Sequence, residues 1–245
     1  MENQAIFLLL ALLAEILGTI SGFGSSILFV PLASVFFDFK VVLGITAIFH
    51  VFSNLSKIAF FRKGINKEIV FKLGLPAVIF VIFGALITTF LPTKQIELFM
   101  SLVILFLAFY LIINRNKKIE QNNKNLYIGG ILSGFFAGIA GTGGAIRGIT
   151  LAAFQLPKEI FIATSAFIDL GVDLSRAVIY TSSGYFQIEN IFLMPFLLVI
   201  SVIGTFVGKK ILSITSEQNF QRIVFFVIIS TSIINIARIV FPVLN

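Results

Sequence analysis

Six uninterrupted apolar runs, residues 41–61, 69–91, 96–113, 160–182, 191–208 and 223–241, each reach the length that a helix needs to cross a bilayer, roughly 17–25 residues. No soluble fold accommodates so many. With 58% apolar and 12% charged residues and a mean hydropathy of +1.06, the chain carries more apolar surface than one protein core can hide. Lipid must cover the rest, and an all-α polytopic membrane protein is predicted. The 30 Phe, with no Trp, read as lipid-facing and core bulk.

Two further apolar regions are interrupted. Residues 5–21 and 25–37 flank Ser21-Gly22-Phe23-Gly24-Ser25, and residues 127–140 and 144–155 flank Gly141-Thr142-Gly143-Gly144. Each reads as a helix broken by glycine.

The two breaks belong to an internal repeat offset by 119 to 120 residues. Gly22 falls on Gly141, Gly24 on Gly143, Leu55-Ser56 on Leu174-Ser175, Pro76 on Pro195 and Gly84 on Gly204. Leu, Ile and Phe match readily by chance in apolar sequence, but ordered Gly and Pro do not. Residues 1–113 are therefore predicted as a first repeat, 114–126 as a cytoplasmic linker and 127–245 as a second repeat. Each repeat has one glycine-broken helix pair plus three full transmembrane helices.

Charge placement orients the halves. If each broken pair returns to the side it entered, the cytoplasmic gaps hold Arg62, Lys63, Lys67, Arg115, Lys117, Lys118, Lys124, Lys158, Lys209, Lys210 and Arg222, and the outer gaps hold Lys40 and Lys94. The tally is 11 against 2. If each broken pair is one kinked span, it becomes 7 against 6. Two inverted repeats are predicted, with both termini outside. The stretch Met1-Glu2-Asn3-Gln4 lacks the basic start of a cleaved leader, so the first helix is expected to stay.

Inverted repeats with interrupted helices are a common architecture of secondary transporters, and the interruptions sit at the substrate. The glycine breaks, Gly22 and Gly24 in the first copy and Gly141, Gly143 and Gly144 in the second, expose backbone N–H groups at the starts of half-helices beginning near Ser25 and Gly144, where unpaired donors and the helix dipole attract anions, and the hydroxyls of Ser21, Ser25, Ser26 and Thr142 are further candidate donors. Close helix packing is the plainer explanation of such glycines, but both copies break at equivalent places. Arg147, one turn into the second half-helix, adds a cation; its repeat mate is Leu28.

A second constellation lies in the following segment of each half: His50, Asn54 and Lys57, and Asp169, Asp173 and Arg176. Spacings of four and three put each trio on one helix face, and the repeat brings the trios together about a pseudo-twofold axis. Asp173 is expected to pair with Arg176, with His50 and Asp169 facing across the repeat. Ionisable groups in such segments rarely face lipid. A structural ion-pair lock is the competing reading, and Lys57 and Arg176 also lie near enough to segment ends to snorkel. Lys57 and Arg176 join the anion-binding candidates; His50, Asp169, Asp173 and Glu15 are the proton-coupling candidates.

The exclusions are equally direct. Without Cys and with one His, thiolate chemistry, disulfides and His-rich metal sites are out of reach. No GxxxxGK[ST] phosphate loop is present. No cofactor, metal or nucleic acid is expected. The expected partners are a small anion and membrane lipid, and self-association into a homo-oligomer stays open. Two alternatives remain: an anion channel, and a membrane-embedded enzyme using Asp169 and Asp173 as paired carboxylates, which no nucleophile or metal cluster accompanies.

These motifs carry a resemblance. Gly18-Thr19-Ile20-Ser21-Gly22-Phe23-Gly24 through Pro31, and Ala137-Gly138-Ile139-Ala140-Gly141-Thr142-Gly143-Gly144, resemble the two glycine-rich signatures of the TauE/SafE family of membrane permeases, the sulfite exporter group. Ala163-Thr164-Ser165-Ala166 is similar to its Ala-Thr-Ser-x run, with Ile45-Thr46-Ala47 as a weaker first copy. Thr150 and Leu151 stand where the second signature usually continues to Pro or a small residue. The resemblance covers nearly the whole chain. It implies a multi-pass transporter of the prokaryotic inner membrane for sulfite, sulfonates or other organosulfur and carboxylate anions, and no enzyme.

Overall fold

The computed structural model describes residues 2–22, 24–62, 64–96, 98–99, 102–103, 106, 120–216, 219, 222 and 226. Among them the protein is helical throughout, with no strand. In chain order the helices are α1 (Glu2–Ser21), α2 (Ser26–Ala33), α3 (Phe39–Phe60), α4 (Lys67–Phe90), α5 (Asn123–Ala140), α6 (Gly144–Ala152), α7 (Lys158–Ser182) and α8 (Leu193–Ile214). The predicted runs 96–113 and 223–241 lie almost wholly outside the described residues, as do linker residues 114–119 and Phe23.

Local chemistry explains where the helices begin and bend. Asp38 caps α3 by accepting from the Lys40 N–H at 3.0 Å, Asn66 caps α4 through Ile69 at 3.1 Å, and Asn122 caps α5 through Asn125 at 2.8 Å. Pro157, fixed outside the helical region, precedes α7. Within α4, Val70–Gly74 widen into a π turn just before Pro76. Pro76 has no N–H to give the carbonyl four residues back, and the wider turn accommodates its ring.

Both predicted breaks are real and alike. Gly22 and Gly141, repeat equivalents, each have φ +73°, and each donates its N–H back one turn, to Gly18 at 3.1 Å and to Ala137 at 3.0 Å. This is the left-handed helix stop that glycine makes without steric cost. The chain then folds back. Phe7, early in α1, packs on Phe36 and Phe37 beyond the end of α2, at ring-centroid distances of 5.8 and 5.2 Å. Likewise Gly129, early in α5, lies against Thr150 near the end of α6. With 8 and 9 residues, α2 and α6 are about 12 and 14 Å long, half of what a span needs. Each break is therefore a hairpin that returns to the end it came from.

Longer helices enclose these hairpins. α1 packs on α8, and α5 on α4; α3 packs on α8, and α7 on α4; α3 and α7 pack on each other. Exchanging the halves maps this set onto itself. α3 and α7 run in opposite directions: Gly44, early in α3, abuts the backbone of Tyr185 just past α7, while the Asn66 N–H beyond α3 reaches Thr164 Oγ1 early in α7 at 3.0 Å.

Small residues allow the closest approaches. Gly130, Gly134 and Gly138 form a stripe at every fourth position of α5, and α4 fits its Leu73, Ala77 and Val81 carbonyls into that stripe. Gly204 and Gly208 of α8 receive Glu15 and Thr19 of α1 in the same manner. Outward, Phe71, Phe83 and Phe90 on α4 and Phe196, Val199 and Phe206 on α8 are exposed, an apolar belt that water would not tolerate at this scale. α1, α3, α4 and α8 are each long and apolar enough to cross a membrane. α7, with 25 residues, is also long enough, but carries the charges that its neighbours bury.

Candidate functional site

Both hairpin tips open into one cavity. Gly24, Ser25 and Ser26 line it from the first break, and Gly141, Gly143, Gly144 and Arg147 from the second; His50, Ser53 and Asn54 come from α3, and Asp169, Val172, Asp173 and Arg176 from α7. Room remains for about one water molecule. Neither α2 nor α6 has a side-chain cap on its first-turn N–H groups, so both helices point bare backbone donors into the same space.

Around this cavity, every charge among the described site residues has a counter-charge. Arg147 pairs with Asp169 through Nη2 and donates from Nε to Ser165 Oγ at 3.1 Å. Arg176 grips Asp173 Oδ1 with Nη2 and Nε, and donates from Nη1 to the Ala137 carbonyl at 3.3 Å. Lys57 lies 3.0 Å from Glu15. Relative exposures of 2% for Arg147 and Arg176, 3% for Lys57 and Asp173, 0% for Glu15 and 8% for Asp169 put all six in the interior. Three cations against three carboxylates make the site electrically balanced, the condition under which such groups survive burial.

α3 and α7 meet at the centre of this network. Asn54 Nδ2 donates to Asp173 Oδ2 at 2.7 Å, and these residues are one repeat, 119 positions, apart. Because α3 and α7 run oppositely, His50 is carried past Asn54 toward the Asp173–Arg176 side, and Asp169 is carried away from it. His50 Nδ1 accordingly stands 3.9 Å from Asp173 Oδ2, and Arg147 takes Asp169.

Two expectations need correction here. Lys57 and Arg176 do not snorkel: both are buried, because Glu15 on α1 and Asp173 on α7 supply counter-charges where a segment-end count implied open water. The facing of His50 and Asp169 also differs: both line the cavity, but the carboxylate beside His50 is Asp173, and Asp169 is held by Arg147. The Asp173–Arg176 pair is as expected.

The remaining candidates spread over three positions. Gly24, Gly141, Gly143, Gly144, Arg147 and Arg176 line the cavity, with His50, Asp169 and Asp173. Ser21, Gly22 and Thr142 are at the breaks but do not line it; Ser21 Oγ donates to the Gly18 carbonyl at 3.3 Å. Glu15 and Lys57 form a cluster behind the first tip. There Glu15 accepts from Ser25 at 2.8 Å, Ser53 at 2.7 Å, Thr205 at 3.1 Å and Thr19 at 3.3 Å, and Lys57 Nζ also reaches Ser53 at 2.5 Å. The sequence reading missed Ser53, Ser165 and Thr205 as partners. Ser53 is four residues before Lys57, a detectable signal; nothing local marks Thr205.

Asymmetry between the halves concentrates at Arg147. Thr46, the repeat mate of Ser165, is buried with no hydrogen-bond partner for its hydroxyl, because Leu28 stands where Arg147 stands in the second copy. Asp169 and Asp173 each hold a separate guanidinium, an arrangement unlike two acids sharing a proton. Among the described residues no group of His, Asp and Glu is placed to hold a metal ion.

The chain has no match among curated proteins and none among solved structures. The family model described as sulfite exporter TauE/SafE matches residues 7–234, which include all but the first residues of α1, the whole of the other seven described helices and every residue of the cavity. This multi-pass, helical membrane protein belongs to the TauE/SafE sulfite exporter family.

Proposed function

We propose that the protein is a secondary carrier of the cell inner membrane that moves a small oxyanion, sulfite or an organic sulfonate or carboxylate, by alternating access. One observation carries the reading: two uncapped half-helix N-termini, one from each half, and the guanidinium groups of Arg147 and Arg176 in the second half converge on a single buried cavity. Bare N–H donors, helix dipoles and planar guanidinium forks are jointly suited to a trigonal or tetrahedral oxyanion. The family's transporter character supports the same reading.

The mechanism follows from an inverted arrangement of the repeats. Supporting it are the interchangeable helix contacts, the opposed directions of α3 and α7, the hairpins that return to their own end and the lysine and arginine distribution. Both termini then face outward. One half rocks against the other about the Asn54–Asp173 contact, and the cavity opens to alternate sides. With space for about one water molecule, the described conformation is an occluded one. To load an anion, an arginine must exchange its carboxylate for the substrate.

Flux of labelled sulfite into liposomes containing the purified protein tests this. The expected result is saturable entry that speeds up when unlabelled sulfite is loaded inside, since a carrier returns faster when occupied. Entry that neither saturates nor responds to internal sulfite identifies a channel instead, and no entry of any oxyanion overturns the reading.

A further inference from the structure

Glu15, buried and 3.0 Å from Lys57, accepts hydrogen bonds from four hydroxyls. As an ionised carboxylate it can only accept, so the single proton of Ser25 points to Glu15 Oε2 at 2.8 Å. Ser25 Oγ also lies 3.0 Å from His50 Nε2. With its proton committed to Glu15, Ser25 accepts here, and His50 Nε2 carries the hydrogen. In a neutral imidazole the other nitrogen is then bare. That nitrogen, Nδ1, faces Asp173 Oδ2 across 3.9 Å, lone pair toward carboxylate and beyond hydrogen-bond distance. A single proton placed on Nδ1 turns this unfavourable approach into a charged hydrogen bond.

The surroundings define what that proton would change. Facing His50 are Glu15 of α1 through Ser25, Lys57 about two turns further along α3, Arg147 of α6, and Asp169, Asp173 and Arg176 of α7; Phe49 and Phe29 close its other side, at centroid distances of 5.7 and 6.5 Å. The six charges of this set cancel in pairs, so an anion entering alone brings an uncompensated charge into a closed interior. The carboxylate beside His50 is Asp173. It is shared by Arg176, Asn54 and, at 3.9 Å, His50.

We propose that His50 is the proton-coupling group of the anion site: a proton arriving at Nδ1 draws Asp173 off Arg176, and the freed guanidinium binds the substrate, so that a singly charged anion and one proton load together. The inference rests on the anion-carrier reading and adds the coupling ion, its stoichiometry and its binding atom. Balance is complete: one proton enters from the open side, Nδ1 gains it, Asp173 exchanges a guanidinium for an imidazolium, and the anion takes Arg176. Glu15 and Ser25 act as positioning residues that fix the tautomer.

Because His50 is the sole histidine of the chain, its ring nitrogens can be observed without ambiguity. The protein is labelled with nitrogen-15 histidine, freed of any purification tag and examined by nuclear magnetic resonance near neutral pH with and without methanesulfonate, whose own charge does not change there. Binding is followed independently as a shift of the thermal unfolding midpoint. Expected are a neutral imidazole protonated at Nε2 in the free protein, a doubly protonated ring in the complex, and uptake of one proton per anion from a weakly buffered solution, lost in His50→Gln. Methanesulfonate that shifts the midpoint while the ring stays neutral overturns the coupling but leaves the anion site standing, as does proton uptake that survives in His50→Gln. No midpoint shift with methanesulfonate, sulfite or any other small oxyanion overturns the carrier reading, and the coupling with it.

Discussion

Arg147→Ala is expected to cost about 2–5 kcal/mol of anion binding, roughly a 30- to 5,000-fold loss of transport at limiting substrate. Arg147 is the charged element that the first half cannot duplicate, since Leu28 occupies the equivalent place. It stands one turn inside α6 and lines the same cavity as Gly143 and Gly144, so that fork and helix dipole can act on the same ligand. The substitution also leaves Asp169 buried without its partner, so stability falls with activity. Combining it with Asp169→Asn separates the effects: the double variant regains the unfolding midpoint but not transport. Initial rates in proteoliposomes and thermal unfolding in detergent check both halves. Wild-type transport in a folded Arg147→Ala variant removes this residue from the site.

Gly134→Leu is expected to prevent folding. A Cβ at Gly134 would stand 2.1 Å from the Ala77 carbonyl oxygen and 2.7 Å from Ala77 Cα, both backbone atoms that cannot rotate away. Relief requires α4 and α5 to separate along the whole Gly130, Gly134, Gly138 stripe. Overpacking a core that can adjust costs about 1–3 kcal/mol; here the cost exceeds that range. Gly184→Leu serves as the comparison, for Gly184 has φ +76° but no atom within 4 Å of its would-be Cβ. It carries backbone strain alone, on the order of 1–2 kcal/mol. Size-exclusion chromatography in detergent should show a monodisperse peak for Gly184→Leu and aggregate for Gly134→Leu. Equal unfolding midpoints for the Gly134 variant and the native chain would show that the helices are not packed as described.

Apolar periodicity and glycine position made much of this fold legible. The predicted run 41–61 became α3 at Phe39–Phe60, 160–182 became α7 at Lys158–Ser182, and both interruptions fell where Gly22 and Gly141 turn left-handed. Membrane segments read well because lipid demands an unbroken apolar stretch and forbids unpaired backbone. Partner choice read less well. Glu15 and Lys57 are 42 positions apart on different helices, and no period in either specifies which faces meet. Lys57 accordingly looked free to snorkel from the last turn of α3. The trios on α3 and α7 do converge, at Asn54 and Asp173, but the choice between Asp169 and Asp173 for His50 depended on how two opposed helices slide past each other, which no spacing within either specifies. The α5 glycine stripe escaped the sequence reading, and its partner, a row of α4 carbonyls, has no side-chain signature.

The central claim is that an oxyanion binds where the two hairpin tips meet. Crystals of the purified protein soaked with selenate, an oxyanion that scatters anomalously, locate it directly. The account predicts an anomalous peak between the Gly143-Gly144 N–H groups, Gly24 and the Arg147 guanidinium, absent from crystals soaked with sulfate instead. A peak at the lysine-bearing helix ends near Lys158 and Lys209, with none at the tips, would contradict it.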